Sequence, residues 1–269
     1  MGGGRGAGNL SLRGVRPGDI STKLDGARNE AQGGDTMIRV AKPIIEEHLV
    51  HVAAGSVTLD GDLRWPEGAR AIVLFAHGSG SSRHSSRNQH VARLLNETKL
   101  ATLLIDLLTA DEEALDAHTA HLRFDIERLA RRLVGATDWL TQRADARHLP
   151  IGYFGASTGA AAALVAATKR PNVIGAIVSR GGRPDLAGPV LPRVRAPTLL
   201  IVGGQDVQVI QLNRAALAQL LCEKQLVIVP GATHLFEEPG ALDEVARLAR
   251  EWFERHLLLT TVRTGQTSR

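Results

Sequence analysis

The stretch Ile151-Gly152-Tyr153-Phe154-Gly155-Ala156-Ser157-Thr158-Gly159-Ala160-Ala161-Ala162-Ala163-Leu164 decides the fold. Its first four residues form an apolar run without alternation, as a strand buried on both faces requires. Its alanine-rich second half reads as a helix that continues to residue 169. Between them lies G-x-S-x-G, Gly155 to Gly159, with the strand before and the helix after that this motif needs. The glycines have a steric purpose. A serine on so sharp a turn has strained backbone angles, and side chains two residues away on either side would collide with strand and helix. Ala156, Ala160 and Ala161 suit the same crowding. The turn lifts the hydroxyl clear of the sheet and sets it at a helix N-terminus, whose free amides favour developing negative charge.

Outward from this stretch, the same alternation repeats. Apolar runs at 71–76, 101–105, 173–178, 198–202 and 226–229 predict further buried strands. Segments 48–53 and 56–65 predict an opening hairpin around Ala54-Gly55 with edge-type alternation. Helical patterns fill the gaps at 86–97, 119–143, 158–169, 207–222 and 239–256. In the second of these, Leu122, Ile126, Leu129 and Leu133 recur at three- and four-residue spacing and give one apolar face. The expected architecture is α/β: a mostly parallel central sheet of about eight strands, flanked by helices and joined by right-handed crossovers.

In an open α/β sheet, ligands bind at the carboxyl ends of the strands. The run 198–202 is followed by Gly203-Gly204-Gln205-Asp206, and the run 226–229 by Pro230-Gly231-Ala232-Thr233-His234. Ser157, Asp206 and His234 thus each follow their own strand and can converge on one rim.

On these residues the span from about His48 to His256 resembles the α/β-hydrolase superfamily, and more narrowly the dienelactone hydrolase family. The resemblance implies Ser157 as nucleophile, Asp206 as acid and His234 as base: His234 removes the serine proton, Asp206 orients and stabilises the imidazolium, and an acyl-enzyme forms and is hydrolysed. It also implies an oxyanion loop at His77-Gly78-Ser79-Gly80, with the amides of Ser79 or Gly80 and of Thr158 as donors. Dienelactone hydrolases resemble one another in a cysteine nucleophile, and this chain has serine there. Their substrate-binding arginines have no matching positions, so the expectation moves away from dienelactone itself toward a small soluble ester or lactone. The stretch 179–197 carries Pro184, Pro189, Pro192 and Pro197, which leave little room for a multi-helix cap, so an open site is expected.

Other polar residues near strand ends are weighed against plainer roles. Arg83, Arg180 and Arg183 are candidates for clamping an anionic substrate, against solvated loop positions. His77 is read as hydrogen-bonding backbone to shape the oxyanion loop, and Asp106 as a loop hydrogen-bonding group that could substitute as the acid. Asp111-Glu112-Glu113 reads as a helix-start or loop charge cluster. His84, His118 and His121 show no metal spacing, and neither metal nor cofactor is expected. Cys222, the single cysteine, excludes an intrachain disulfide and reads as a thiol buried on a helix.

Composition sets the outer bounds. Of 269 residues, 43% are hydrophobic and 22% charged, enough for one large domain with a substantial core. Aromatics are only 3%, so aliphatic and alanine packing must dominate. The formal charge of +4 is dispersed, with no basic block of the kind that binds nucleic acid. There is no 18-residue apolar stretch and no signal-peptide core, so a cytoplasmic protein without membrane partners is expected. Residues 1–36, rich in Gly and Arg, are expected to be a disordered leader, with Met37 a candidate alternative translation start; 37–259 the folded domain; and 260–269 a loose tail. Thioester, peptide or acyl-transfer chemistry on the same triad, or a non-catalytic binding protein of this fold, are the competing readings.

Overall fold

A computed structural model describes residues 43–259 and Met1. The expected leader past Met1, the start of the domain at residue 37 and the tail 260–269 lie outside the described residues.

The sheet opens with a hairpin, β1 (Ile45–Ala54) and β2 (Val57–Pro66), paired antiparallel from Ala54↔Val57 to Ile45↔Pro66. Six more strands follow: β3 (Ala71–Ala76), β4 (Leu100–Ile105), β5 (Ile151–Ala156), β6 (Ile174–Arg180), β7 (Thr198–Gly203) and β8 (Lys224–Val229). The spatial order is β1-β2-β4-β3-β5-β6-β7-β8, with β3 to β8 mutually parallel and the hairpin antiparallel at one edge. Every residue of β3, β4, β5 and β7 is buried, which matches their unbroken apolar sequences.

Alternate residues of each inner strand feed two cores. On one side, Val73 and Phe75 pack with Val91 and Leu95 of α1 (Ser86–Asn96) and Val245 and Ala249 of α6 (Ala241–Phe253). On the other, Ile72 and Leu74 pack with α3 (Ile126–Gln142), α4 (Thr158–Lys169) and α5 (Val207–Gln219), through Leu133, Leu164 and Ala216 among others. Ala160–Ala163 of α4 are fully buried. Their small side chains let the helix backbone approach the sheet, which is how a chain so poor in aromatics fills its centre.

Two helix boundaries differ from expectation. The helix expected at 119–143 starts only at Ile126, as α3; its expected first turn is the end of a separate, unexpected helix, α2 (Ala110–Thr119), followed by a short 3₁₀ turn at Leu122–Phe124. Thr109 and Glu112 form a reciprocal capping box that starts α2, with Asp111, Glu112 and Glu113 in its first turn. Ala120 then takes a left-handed conformation that ends it, and the Asp125 side chain accepts from the Arg128 amide at 3.0 Å to start α3. The apolar periodicity ran through this break because Leu122 is buried from the connecting turn. Likewise α5 ends at Gln219 rather than 222, where Lys224 Nζ donates to the carbonyls of Leu217 (2.8 Å) and Leu220 (2.5 Å). Cys222 therefore sits in the turn before β8, half-buried, its thiol pushed up by burial and 3.8 Å from Thr198 Oγ1.

Between β6 and β7 the chain forms only a proline-containing 3₁₀ stretch, Pro184–Arg193, and no large cap is built there. Among the described residues no helix is long and apolar enough to cross a membrane.

Candidate active site

The turn between β5 and α4 has the geometry its sequence demands. Ser157 has φ 50° and ψ −121°, a conformation that costs a non-glycine residue about 1–3 kcal/mol and persists only where its surroundings enforce it. The enforcement is visible. The Ser157 amide donates to the Arg180 carbonyl at 3.3 Å, and the Ser157 carbonyl accepts from the Arg183 amide at 3.0 Å. A Cβ on Gly155 would lie 2.4 Å from Ala160 Cα, and one on Gly159 2.2 Å from the Ala76 carbonyl oxygen. Strand, turn and helix are therefore in backbone contact, and only glycine fits at these two positions.

The loop after β3 is shaped by His77. Leu107 donates its amide to His77 Nε2 at 3.0 Å, which makes Nε2 the acceptor and leaves the proton on Nδ1, 2.9 Å from the Gly78 carbonyl it donates to. Burial lowers the imidazole pKa and keeps it neutral, against the pull of the Gly78 carbonyl and Asp106. The amides of Ser79, Gly80 and Thr158 donate to no protein acceptor among the described residues. Thr158 is the first residue of α4, so its amide is one of the free donors of a helix N-terminus.

Asp206 and His234 stand in the loops after β7 and β8. The Asp206 amide bonds back to the Gly203 carbonyl at 3.0 Å, and the amide of Gln205 reaches the Ala232 carbonyl at 2.9 Å, zipping the two loops together. The result is a 2.6 Å contact between Asp206 Oδ2 and His234 Nδ1. Ser157 and His234 line one cleft of about 210 Å³, together with Gly78, Ser79 and Arg180. Among the described residues no hydrogen bond yet joins the serine hydroxyl to the imidazole. Such contacts commonly tighten only once substrate is bound.

The three arginines separate cleanly. Arg83 donates its amide to Asp106 at 2.7 Å and its guanidinium to the same carboxylate, with Asp62 at 3.4 Å. Arg183 forms a two-point pair with Asp185 at 2.9 and 2.8 Å. Both charges are already neutralised, and neither side chain lines the cleft. As substrate clamps they are corrected: each anchors a loop instead. Asp106 is correspondingly the Arg83 partner rather than an alternative acid.

Arg180 is different. It lines the cleft, is 6% exposed, and has no carboxylate partner among the described residues. Its Nη2 reaches Asn88 Oδ1 at 3.4 Å, its Nε is buried without a partner, and its guanidinium carbon lies 5.8 Å from the Phe236 ring centroid. Burial, aided by the nearby Arg87 charge, lowers its pKa to about 10. Arg87 and Asn88 also line the cleft, and sequence reasoning missed both. They sit at the start of α1 in a polar run that carries no strand-end signal. Among the described residues, no three His, Cys, Asp or Glu side chains are grouped to hold a metal.

Comparison with known proteins adds four findings. Residues 64–260 match the family model described as the dienelactone hydrolase family. A crystal structure of a dienelactone hydrolase from Anabaena variabilis is 63% identical, covering 79% of this chain and 99% of that one, with a TM-score of 0.78. A Mycobacterium tuberculosis protein, named provisionally as a phosphoribosyl transferase, is 52% identical over 239 residues. That match takes in 89% of this chain but 53% of the relative, so the chain spans about half the length of the curated relatives it matches. At the level of fold alone, a lidless α/β serine hydrolase from Xanthomonas campestris is similar at 20% identity, with coverage of 78% and 94% and a TM-score of 0.61.

Proposed function

Since the chain belongs to the dienelactone hydrolase family, we propose that it is a serine hydrolase that cleaves a small soluble carboxylic ester or lactone through an acyl-enzyme. The observation that carries this reading is the 2.6 Å Asp206–His234 contact beside a strained Ser157 in one shared cleft. Asp206 holds the His234 tautomer with Nδ1 protonated, leaving Nε2 to take the Ser157 proton. Attack on the ester carbonyl forms a tetrahedral intermediate, whose oxyanion is received by the amides of Thr158 and of Ser79 or Gly80. Removing one such donor typically costs about 3 kcal/mol of transition-state stabilisation. Collapse expels the alcohol, which takes the proton from His234, and water repeats the cycle to free the acid.

Arg180 is proposed to receive an anionic group on the substrate, because a buried guanidinium without a carboxylate is uncompensated until one arrives. The test is direct. A fluorophosphonate probe should label the protein, and Ser157→Ala should abolish labelling. Turnover of short p-nitrophenyl esters, lactones and thioesters then ranks ester, lactone and thioester chemistry. A folded protein that neither labels nor turns over any of them would point to a binding role.

A further inference from the structure

A second cavity, of about 240 Å³, adjoins the cleft that holds Ser157 and His234. The two spaces share Gly78, Ser79 and Ser81 as a common wall, the loop proposed to bind the oxyanion. Only the cleft touches Ser157 and His234; the chamber is lined instead by Leu108, Ala117, Leu129, Glu113 and Thr158, beneath α2. Resting on the reading of Ser157 as nucleophile, we propose that this chamber is the acyl pocket, and that it takes a compact, uncharged aryl or branched-alkyl group.

The assignment of ends follows from proton transfer. The leaving oxygen must collect its proton from His234, so the leaving group lies on the His234 side, in the cleft with Arg180. The carbonyl oxygen is taken by the Ser79 and Thr158 amides. The remaining substituent, the acyl group, must point away from His234, across the shared loop. Thr158 links the two spaces: its amide opens toward the oxyanion position, while the residue itself lines the chamber.

Size and polarity define what fits. A dry cavity of about 150 Å³ is enough for benzene, so this one has room for a substituted ring or a branched chain of similar bulk. Leu108, Ala117 and Leu129 offer apolar contact. The Oγ1 of Thr158, in a residue 2% exposed, is buried without a hydrogen-bond partner and can satisfy one polar substituent. Charge excludes an anionic acyl group. Asp106 and Asp116 are consumed by Arg83 and Arg123, and the exposed Glu113 at the chamber's edge is a negative charge with no ion pair among the described residues. An anion is thus directed to the Arg180 side and away from the acyl side.

The experiment compares p-nitrophenyl benzoate with p-nitrophenyl acetate, which share a leaving group, in wild type, Ala117→Phe and Leu108→Ala. Ala117 lines the chamber and belongs to neither core, so a larger ring there narrows the chamber without disturbing their packing. The benzoate-to-acetate ratio of kcat/KM should fall at least tenfold in Ala117→Phe. In Leu108→Ala the ratio of 4-tert-butylbenzoate to acetate should rise at least fivefold. Ratios that stay within twofold of wild type in both variants, with acetate hydrolysis still dependent on Ser157, would overturn the acyl pocket alone. Wild-type hydrolysis unaffected by Ser157→Ala would instead overturn the proposed function, and the pocket with it.

Discussion

Leu107 donates its backbone amide to His77 Nε2 at 3.0 Å, and this bond decides which nitrogen of a half-buried imidazole carries the proton. With Nε2 occupied as acceptor, the one proton resides on Nδ1 and holds the Gly78 carbonyl. The loop that carries the Ser79 and Gly80 amides is therefore fixed to the end of β4 through a neutral side chain. Protonating Nε2 would set two N–H groups against each other.

That relationship makes stability depend on pH. Burial holds the folded His77 pKa below the ordinary 6.5, so below about pH 6.5 the unfolded chain binds a proton that the folded chain refuses. Stability is then complete above that pH and declines as pH falls through it. His256, lowered mainly by burial, adds a contribution of the same sign. The urea midpoint of wild type should drop between pH 7.5 and 5.5. His77→Gln, which keeps a donor and an acceptor but cannot titrate, should lose part of that drop and retain the His256 share. An identical drop in both proteins would remove His77 as the cause.

Ser157 should be a site where function opposes stability. Its φ of 50° is unfavourable for any side chain, whereas glycine adopts it freely. Ser157→Gly should gain roughly 1 kcal/mol in urea unfolding, within the range for relief of such strain, while abolishing turnover. Destabilisation by the same amount would mean that the serine side chain contributes more to the turn than its backbone conformation costs.

Legibility of the fold tracked how strongly each element depends on burial. β3, β4, β5 and β7 were readable almost to the residue because unbroken apolar runs have few other uses in a chain of this size. The positions of Ser157, Asp206 and His234 were readable for a related reason, since each follows a recognisable strand directly. The break between α2 and α3 was not, because Leu122 keeps the helical spacing while belonging to a turn. Nor could sequence tell Arg180 from Arg83 and Arg183. All three follow strand ends, and what separates them is whether a carboxylate is in reach: Asp106 and Asp185 supply one to two of them. Asp185 is two residues from Arg183 and was visible in principle; Asp106 lies 23 residues from Arg83 and requires the fold.

The carboxylate behind His234 offers a sharper test of the proposed chemistry than the serine does. Asp206→Asn keeps the shape but presents the wrong hydrogen-bonding partner to Nδ1, so the imidazole is held in the unproductive tautomer. In a triad of this type such a change lowers kcat by about 10⁴-fold with geometry intact. The variant should bind substrate with KM within about threefold of wild type, because Asp206 is not among the residues lining the cleft. A loss below tenfold in kcat would indicate that another group orients His234.

Arg180 is the residue whose replacement should improve the folded protein and damage its selectivity at once. Its guanidinium is buried, carries no carboxylate among the described residues, and faces the Arg87 charge as well. Leaving one buried charge uncompensated costs several kcal/mol in typical proteins, about 3–5 where a partner has been removed. Arg180→Met retains most of the volume and contact with Phe236 while deleting the charge, so Tm should rise by several degrees. KM for esters with a carboxylate in the leaving group should rise at least tenfold, and KM for matched neutral esters should change less than threefold. Small anions give an independent readout: acetate or sulfate at millimolar concentration should raise the Tm of wild type and leave Arg180→Met unmoved. If the anions stabilise both proteins equally, the guanidinium is compensated in some other way and the anion subsite is lost; if Tm falls in the variant, the arginine is holding the cleft together and its charge is not the quantity that matters.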